Sequence, residues 1–250
     1  MKKSRDNADE RIFAPPWGPS NNIFREHKAR YAFVKPHVKG CDVLDVACGT
    51  GYGSHALSRL AKSVIGLDIS SASIQFANQH YHSPNLKYVV GDALALPFPD
   101  QCFDAVVSFE TIEHLSDQNT FLNEIRRVLK NNGTLFMSTP DREVIPLFMI
   151  NPSEYKNPFH VRELSRKEFA DLLSKYFTIT SWHGQGRYLG QPNRNKPALS
   201  PVKKFFRWVP ERIRLKLISW IIRTGPADVI FELGDNKSKY LIAHCQKYMK

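Results

Sequence analysis

The stretch Val43-Leu44-Asp45-Val46-Ala47-Cys48-Gly49-Thr50-Gly51-Tyr52-Gly53 constrains the fold more than any other part of the chain. Its apolar opening is too short for a helix and is bounded by glycines, which predicts a buried parallel strand entering a tight turn. The residues that follow, Ser54-His55-Ala56-Leu57-Ser58-Arg59-Leu60-Ala61, carry the apolar spacing of a helix. A strand, a glycine turn and a helix let a ligand approach the backbone where a side chain would otherwise stand, with the helix N-terminus facing it. Neither G-x-G-x-x-G nor G-x-x-x-x-G-K-[ST] is met, because the third glycine is misplaced and no lysine follows.

Strands and helices alternate from there. Ser63–Ser70 is a second buried strand, and Asp68 near its end lies about twenty residues past the glycines, where an acid can accept two hydrogen bonds from a ribose diol. Ser70–Tyr81 is a helix, and Leu86–Ala93 a third strand with Asp92 at its end. Phe103–Phe109 is the fourth strand, Asn119–Leu129 a helix with a C-cap sequence at Lys130-Asn131-Asn132-Gly133, and Thr134–Thr139 the fifth strand. Arg166–Tyr176 is a further helix, with Phe177–Trp182 and Lys239–Cys245 as the last two strands. This alternation predicts a doubly wound α/β sheet, mostly parallel, with helices on both faces and ligands at the carboxyl ends of its strands. Asp45, Asp68 and Asp92 are expected in register at those ends. Residues 1–20 are expected to be an irregular arm rich in Pro and Gly, and residues 21–250 one domain. A helix is predicted over Asn22–Val34, capped by Asn21 or Asn22; its Glu26, His27 and Arg30, beside Tyr31, are either a solvated face or a lid over the ligands.

A second constellation follows the fourth strand, in Phe109-Glu110-Thr111-Ile112-Glu113-His114-Leu115. If a helical turn starts there, Glu110 and Glu113 are neighbours at i, i+3, and Glu110 and His114 at i, i+4. His160, in the polar loop Asn157–Ser165, is placed to fold back as a fourth ligand. Hard oxygens with imidazole suit magnesium or manganese, with iron and zinc also open. The other reading is an acid-rich helix start with His114 bonded locally, in which case His114 or His160 would be the general base.

Apolar residues make up 42% of 250, enough for an ordinary core, and no apolar run approaches the length of about eighteen residues needed to span a bilayer. The charged start, without a hydrophobic signal region, and four cysteines without C-x-x-C spacing are what a cytoplasmic chain with reduced thiols would show. The net charge of +11 favours an anionic partner. Much of it lies in an insertion at about 199–225, where Val202–Arg223 holds seven Lys and Arg against the single acid Glu211, interleaved with Phe and Trp. Pro201 and Pro210 suit the starts of two helices. These would either lie on an anionic membrane, at its inner face, or pack on the domain with their charges in water. Nucleic acid is disfavoured for want of a recognised RNA module.

Asp45-Val46-Ala47-Cys48-Gly49-Thr50-Gly51 resembles the D-x-[AG]-C-G-x-G motif of the class I S-adenosylmethionine (SAM) methyltransferases. The resemblance covers about residues 40–185 and implies a Rossmann-like seven-stranded sheet with one antiparallel strand. It also implies SAM as cofactor, contacted by Asp45, Ala47, Cys48, Gly49, Gly51, Asp68, Ile69, Asp92, Ala93 and Phe109, with Asp92 at the adenine amino group. The pattern Glu110-x-x-Glu113-His114, then His160, is similar to the metal-binding set of small-RNA 2′-O-methyltransferases and ubiquinone-pathway O-methyltransferases; it implies catalytic roles for Glu113, His114 and His160. Together with Glu26-His27-x-x-Arg30-Tyr31, Gly51-Tyr52-Gly53-Ser54 and Asn157–Glu163 it resembles more closely bacterial methyltransferases associated with surface polysaccharides. The expected reaction is O-methylation of a hydroxyl on a sugar, glycolipid or other polyhydroxylated small molecule. A quinone precursor or RNA ribose is the alternative acceptor. A SAM-binding scaffold without chemistry is the alternative of another class, which the intact acidic set opposes.

Overall fold

Alternating side chains of the central strands face two different apolar layers, so the sheet must be covered on both sides. In the computed structural model, which describes residues 22–144, 157–187, 230–234 and 238–248, β1 (Asp42–Val46), β2 (Ser63–Asp68), β3 (Leu86–Val90), β4 (Phe103–Phe109) and β5 (Leu129–Pro140) are parallel neighbours. β6 (Thr178–Arg187), β7 (Ile230–Glu232) and β8 (Ser238–Gln246) complete the order β3-β2-β1-β4-β5-β8-β6-β7, with β8 antiparallel to both β5 and β6. The seven expected strands are present, and β7, three residues long, adds an eighth at the edge beside β6.

Val43, Ala105, Val107 and Phe109 face one layer, closed by α1 (Asn22–Val34) and α2 (Tyr52–Ser58) through Tyr31, Val34 and Leu57. Leu44, Val46 and Val106 face the other layer. There α4 (Gln118–Val128), which follows α3 (Ser71–His80), buries Phe121, Leu122, Ile125 and Val128, and α5 (Arg166–Leu173) buries Phe169 and Leu173. The spacing i, i+1, i+4, i+7 on α4 is the stripe that a helix needs to lie on a sheet.

The C-cap expected at Gly133 is replaced by strand. β5 begins directly at Leu129, and its pairing with β4 slips between Phe103 and Ala105, so that Lys130–Gly133 bulges out. Asn132, not Gly133, takes the left-handed conformation (φ 61°), while a Cβ on Gly133 would stand 2.8 Å from the Lys130 carbonyl oxygen. The N-terminal arm, the capping position Asn21 and the basic insertion at 199–225 lie outside the described residues. Among the described residues no helix is long and apolar enough to cross a membrane, and all four cysteines are free.

Candidate active site

The cradle forms where β1 ends. Ala47 (φ 59°), Gly49 (φ 56°) and Gly51 (φ 85°) all adopt the left-handed conformation, which turns the chain back toward α2. A Cβ on Gly51 would lie 2.6 Å from Ala77 Cβ and 2.7 Å from the Tyr88 ring, whereas one on Gly49 would meet nothing within 4 Å. The loop is tied to β2 by Asp68, whose Oδ2 accepts the Gly49 N–H (2.9 Å) and whose Oδ1 accepts the Ser70 N–H (2.8 Å). Tyr88 Oη donates to the Gly51 carbonyl (2.9 Å). Carboxylate oxygens accept more than one bond each, so Asp68 retains capacity for a ribose diol. Beside it Ile69 is 68% exposed, an apolar surface suited to the face of a base, and Asp92 is exposed with Oδ1 accepting the Leu94 N–H (2.9 Å). Ala93 is half-buried next to it. Removing the Asp68 carboxylate takes away the loop tie together with the oxygens that the sequence reading assigns to a ribose diol. Asp68→Ala is therefore expected to weaken SAM binding by about 1.5 to 3 kcal/mol, read by calorimetry on folded protein.

Three expected contacts, Cys48, Asp45 and Phe109, move inward. Cys48, 4% exposed, turns its thiol toward Gly66 and leaves only backbone to the cradle. Asp45 pairs with Gly66, two residues short of Asp68, while Asp68 pairs with Val90, two residues short of Asp92. The three acids form a staircase rather than a row, and Asp45 is the deepest, 1% exposed. It accepts hydrogen bonds from Ser54 Oγ (2.6 Å) and Tyr31 Oη (3.1 and 3.2 Å), so it braces the loop from behind instead of reaching into the cleft. The Tyr31 ring fills the space over Gly53 and meets Phe109, itself 5% exposed, edge-on at 5.1 Å.

Burial pushes the Asp45 carboxyl up to about 7, against the lowering effect of Ser54 and Tyr31. The native state then holds a proton between about pH 4 and 7 that the unfolded chain has released, and stability falls as pH rises through that window. Asp45→Asn should abolish that fall, up to about 4 kcal/mol, seen as a gap between mutant and wild-type urea midpoints that changes from pH 5 to pH 8.

Glu110 and Glu113 diverge. Glu110 N–H continues the ladder to Ser138 O (3.1 Å), and Glu110 itself has φ 52°, so the helical turn begins only at Ile112 and spans Ile112–His114. Glu110 Oε1 accepts from Ser138 Oγ (2.7 Å) and lies 3.1 Å from Arg30 Nη1. It is not among the converging groups. One donor atom each from Glu113, His114 and His160 lies within 4.8 Å of the others, making a trio where a quartet was expected. Glu113 is fully buried; Thr139 Oγ1 donates to its Oε2 (3.0 Å), and its Oε1 has no partner. Burial and then Glu110 hold its carboxyl well above the ordinary range.

The loop that carries His160 is stapled to this turn by the Glu113 carbonyl, which accepts the N–H groups of Val161 (2.9 Å) and Arg162 (3.0 Å), and by Gln118 Nε2, which donates to Ile112 O (3.0 Å) and Arg162 O (3.2 Å). His114 Nδ1 bonds the Phe159 carbonyl (3.0 Å) and His160 Nδ1 bonds Glu163 Oε1. Both acceptors call for a proton on Nδ1, which assigns the lone pair to Nε2 of each ring; that of His160 accepts from Asn157 Nδ2 (3.0 Å). Rings fixed through one nitrogen by a carbonyl or carboxylate are what a metal site or a general base requires. Two imidazoles and one carboxylate are a softer set than the expected one and favour iron, zinc or manganese over magnesium.

On α1 most of the polar set is not a solvated face. Glu26 (5% exposed), Arg30 (0%) and Tyr31 (6%) are buried against β8 and the strand ends. Lys239 Nζ bonds both Glu26 oxygens (3.1 and 3.2 Å). Asn157, Glu163 and Ser54 stood in the motifs of the resemblance without a role of their own, and Ser138 and Thr139 went unremarked.

A sheet of this order, with a glycine loop at β1 and acids at the ends of β2 and β3, defines a nucleotide-type cofactor site on a class I methyltransferase fold. Residues 44–137 match a family profile described as a methyltransferase domain. The chain is 36% identical over 177 residues to a protein of Mycolicibacterium smegmatis named as a probable S-adenosylmethionine-dependent methyltransferase, covering 69% of this chain and 67% of that one. It is 31% identical over 206 residues to a fatty-acid O-methyltransferase of the same organism, covering 81% of this chain and 66% of that one. In fold it is similar to a chain from the complex between the Haloferax volcanii Trm112 methyltransferase activator and a methyltransferase, with TM-score 0.65, 20% identity and coverage of 91% and 90%. This chain belongs to the SAM-dependent methyltransferases. It spans about two thirds of the length of those two curated relatives.

Proposed function

We propose that the chain transfers the methyl group of SAM to a hydroxyl oxygen of a sugar, glycolipid or other polyhydroxylated small molecule, with Glu113, His114 and His160 holding a divalent cation. The observation that carries this reading is the buried, unpaired Glu113 Oε1 beside two histidines whose Nδ1 atoms are already engaged. An unpaired carboxylate oxygen away from water is costly, and a cation relieves that cost. The cradle fits SAM: Gly49 leaves open space, and Asp68, Ile69 and Asp92 stand around it.

SAM, when bound, supplies an electrophilic methyl on a sulfonium that leaves as a neutral thioether. The cation, when bound, lowers the pKa of a hydroxyl oxygen. The protein aligns the acceptor oxygen with the methyl and receives the hydroxyl proton. Where no cation assists, His160 Nε2, backed by Glu163 on the other ring nitrogen, takes that proton on giving up its bond from Asn157 Nδ2. A lipid-linked acceptor would suit the seven basic residues of 202–223. Salt-sensitive pelleting with phosphatidylglycerol vesicles, lost when Lys203, Lys204, Arg212 and Arg214 are neutralised, is the expected result.

The test is methyl transfer from labelled SAM into fractionated cell extract, with identification of the product, in the presence and absence of a chelator. Chelation should stop transfer without loss of SAM binding. Full activity of metal-stripped enzyme in excess chelator would remove the cation and leave a histidine base. Label on nitrogen or carbon would remove the O-methyl reading.

A further inference from the structure

Among the described residues five large apolar side chains stand exposed, and the three most exposed lie where the strands open onto the cleft: Ile69 (68%), Val161 (62%) and Val90 (51%). Val90 pairs with Asp68 in the β2–β3 ladder, and Ile69 follows Asp68, so these two border the cofactor cradle, where the face of a base would cover them. Val161 is on the other side of β1, next to His160 at the ends of β4 and β5. The cofactor does not account for it.

Single exposed valines are ordinary on a protein surface, and a loose loop can fold one away. This loop is not loose. Phe159 and His160 donate their N–H groups to Asn157 Oδ1 (3.0 Å) and Asn157 O (3.2 Å), and Val161 and Arg162 donate theirs to the Glu113 carbonyl (2.9 and 3.0 Å). The Phe159 carbonyl is bonded by His114 Nδ1 and the Arg162 carbonyl by Gln118 Nε2. Two residues on, Leu164 bridges to Asp141, and its carbonyl accepts the Arg142 N–H (3.1 Å). Hydrogen bonds at this density fix the backbone, so Val161 is held in water rather than free to turn inward. Pro158 is also exposed and Phe159 half-buried, so apolar residues flank His160 on both sides, while the His160 side chain itself is only 10% exposed.

Apolar surface kept in water forgoes the free energy of burial, and a ligand that covers it recovers that free energy. A free sugar presents hydroxyls around its whole rim and recovers little there, because its own polar groups would lose water against carbon. An alkyl chain recovers most of it. We propose that Val161, with Pro158 and Phe159, forms an apolar collar at His160 that selects an acceptor carrying an alkyl chain beside the atom to be methylated. Among the acceptors named above it selects the glycolipid and rejects the free sugar. The collar rests on the methyl-transfer site proposed above and is independent of the cation.

The test is methyl transfer from labelled SAM into whole-cell extract with wild type, Val161→Asp and Val161→Leu, followed by partition of the products between chloroform–methanol and water. Label is expected in the organic phase. At limiting extract Val161→Asp should transfer it about 10-fold more slowly, and Val161→Leu within about twofold of wild type. Raising the extract concentration should restore the Val161→Asp rate, since lost apolar binding raises KM and leaves kcat alone. The SAM Kd should be equal in all three. Label confined to the aqueous phase, a Val161→Asp rate equal to wild type, or an equal loss in Val161→Leu overturns the collar. The two readings fail separately. An organic-phase product labelled on nitrogen or carbon, with the Val161→Asp loss intact, removes the hydroxyl reading and keeps the collar. A water-soluble O-methyl product keeps the hydroxyl reading and removes the collar.

Discussion

Gly51→Val is expected to abolish SAM binding, with affinity reduced more than about 100-fold, equivalent to roughly 3 kcal/mol or more. Two independent penalties act there. At φ 85° a β-branched residue is strained, and its Cβ would stand 2.6 Å from Ala77 Cβ on α3 and 2.7 Å from the Tyr88 ring. Tyr88 cannot simply withdraw, because its hydroxyl holds the Gly51 carbonyl at 2.9 Å. The loop must therefore shift as a unit, and the Gly49–Asp68 tie shifts with it. Gly49→Ala is the informative contrast. Its φ of 56° carries the left-handed penalty, about 1 kcal/mol, but nothing lies within 4 Å of the new Cβ. Calorimetry with thermal melts separates the two; Gly51→Val binding within tenfold of wild type would show that the loop is not the cradle.

Glu113→Gln should lower kcat by about 100-fold or more while leaving the Kd for SAM unchanged. The amide preserves the volume of a fully buried side chain and can still accept from Thr139 Oγ1, so folding is little disturbed. What changes is the unpaired Oε1 position and the negative charge that a cation would require. A histidine base predicts a different pattern: Glu113→Gln is mild, chelators have no effect, and His160→Gln or His114→Gln alone removes most of the rate. Initial-rate assays with labelled SAM on the three variants, each with and without chelator, distinguish these outcomes.

Sequence reasoning was most effective where chemistry is local. Short continuous apolar runs located the central strands because each strand is buried on both faces, and positive-φ turns favour glycines, which advertise themselves at Gly49 and Gly51. Asp68 was legible for the same reason: it ends its strand, and strand ends open to ligands in any such sheet. The misplaced cap at Gly133 shows the limit, since Lys-Asn-Asn-Gly suits a helix stop and a β-bulge equally until the partner strand is known.

By itself, then, the sequence determined the order of elements, the glycine loop and the candidate donors, because these depend on backbone preference and side-chain type within a few residues. Depth and convergence were decided only in three dimensions. Asp45 is a brace because the stagger of β1 against β2 sets it two residues below Asp68. Glu110 stands outside the trio because its N–H prolongs the β4–β5 ladder. His160 joins Glu113 through a loop more than forty residues downstream, stapled to the Glu113 carbonyl. Arg30, on an apparently solvated helix face, is buried because α1 closes over the strand ends with Tyr240 and Glu110 beneath it. Burial is a property of neighbours distant in the chain, and no local pattern encodes it.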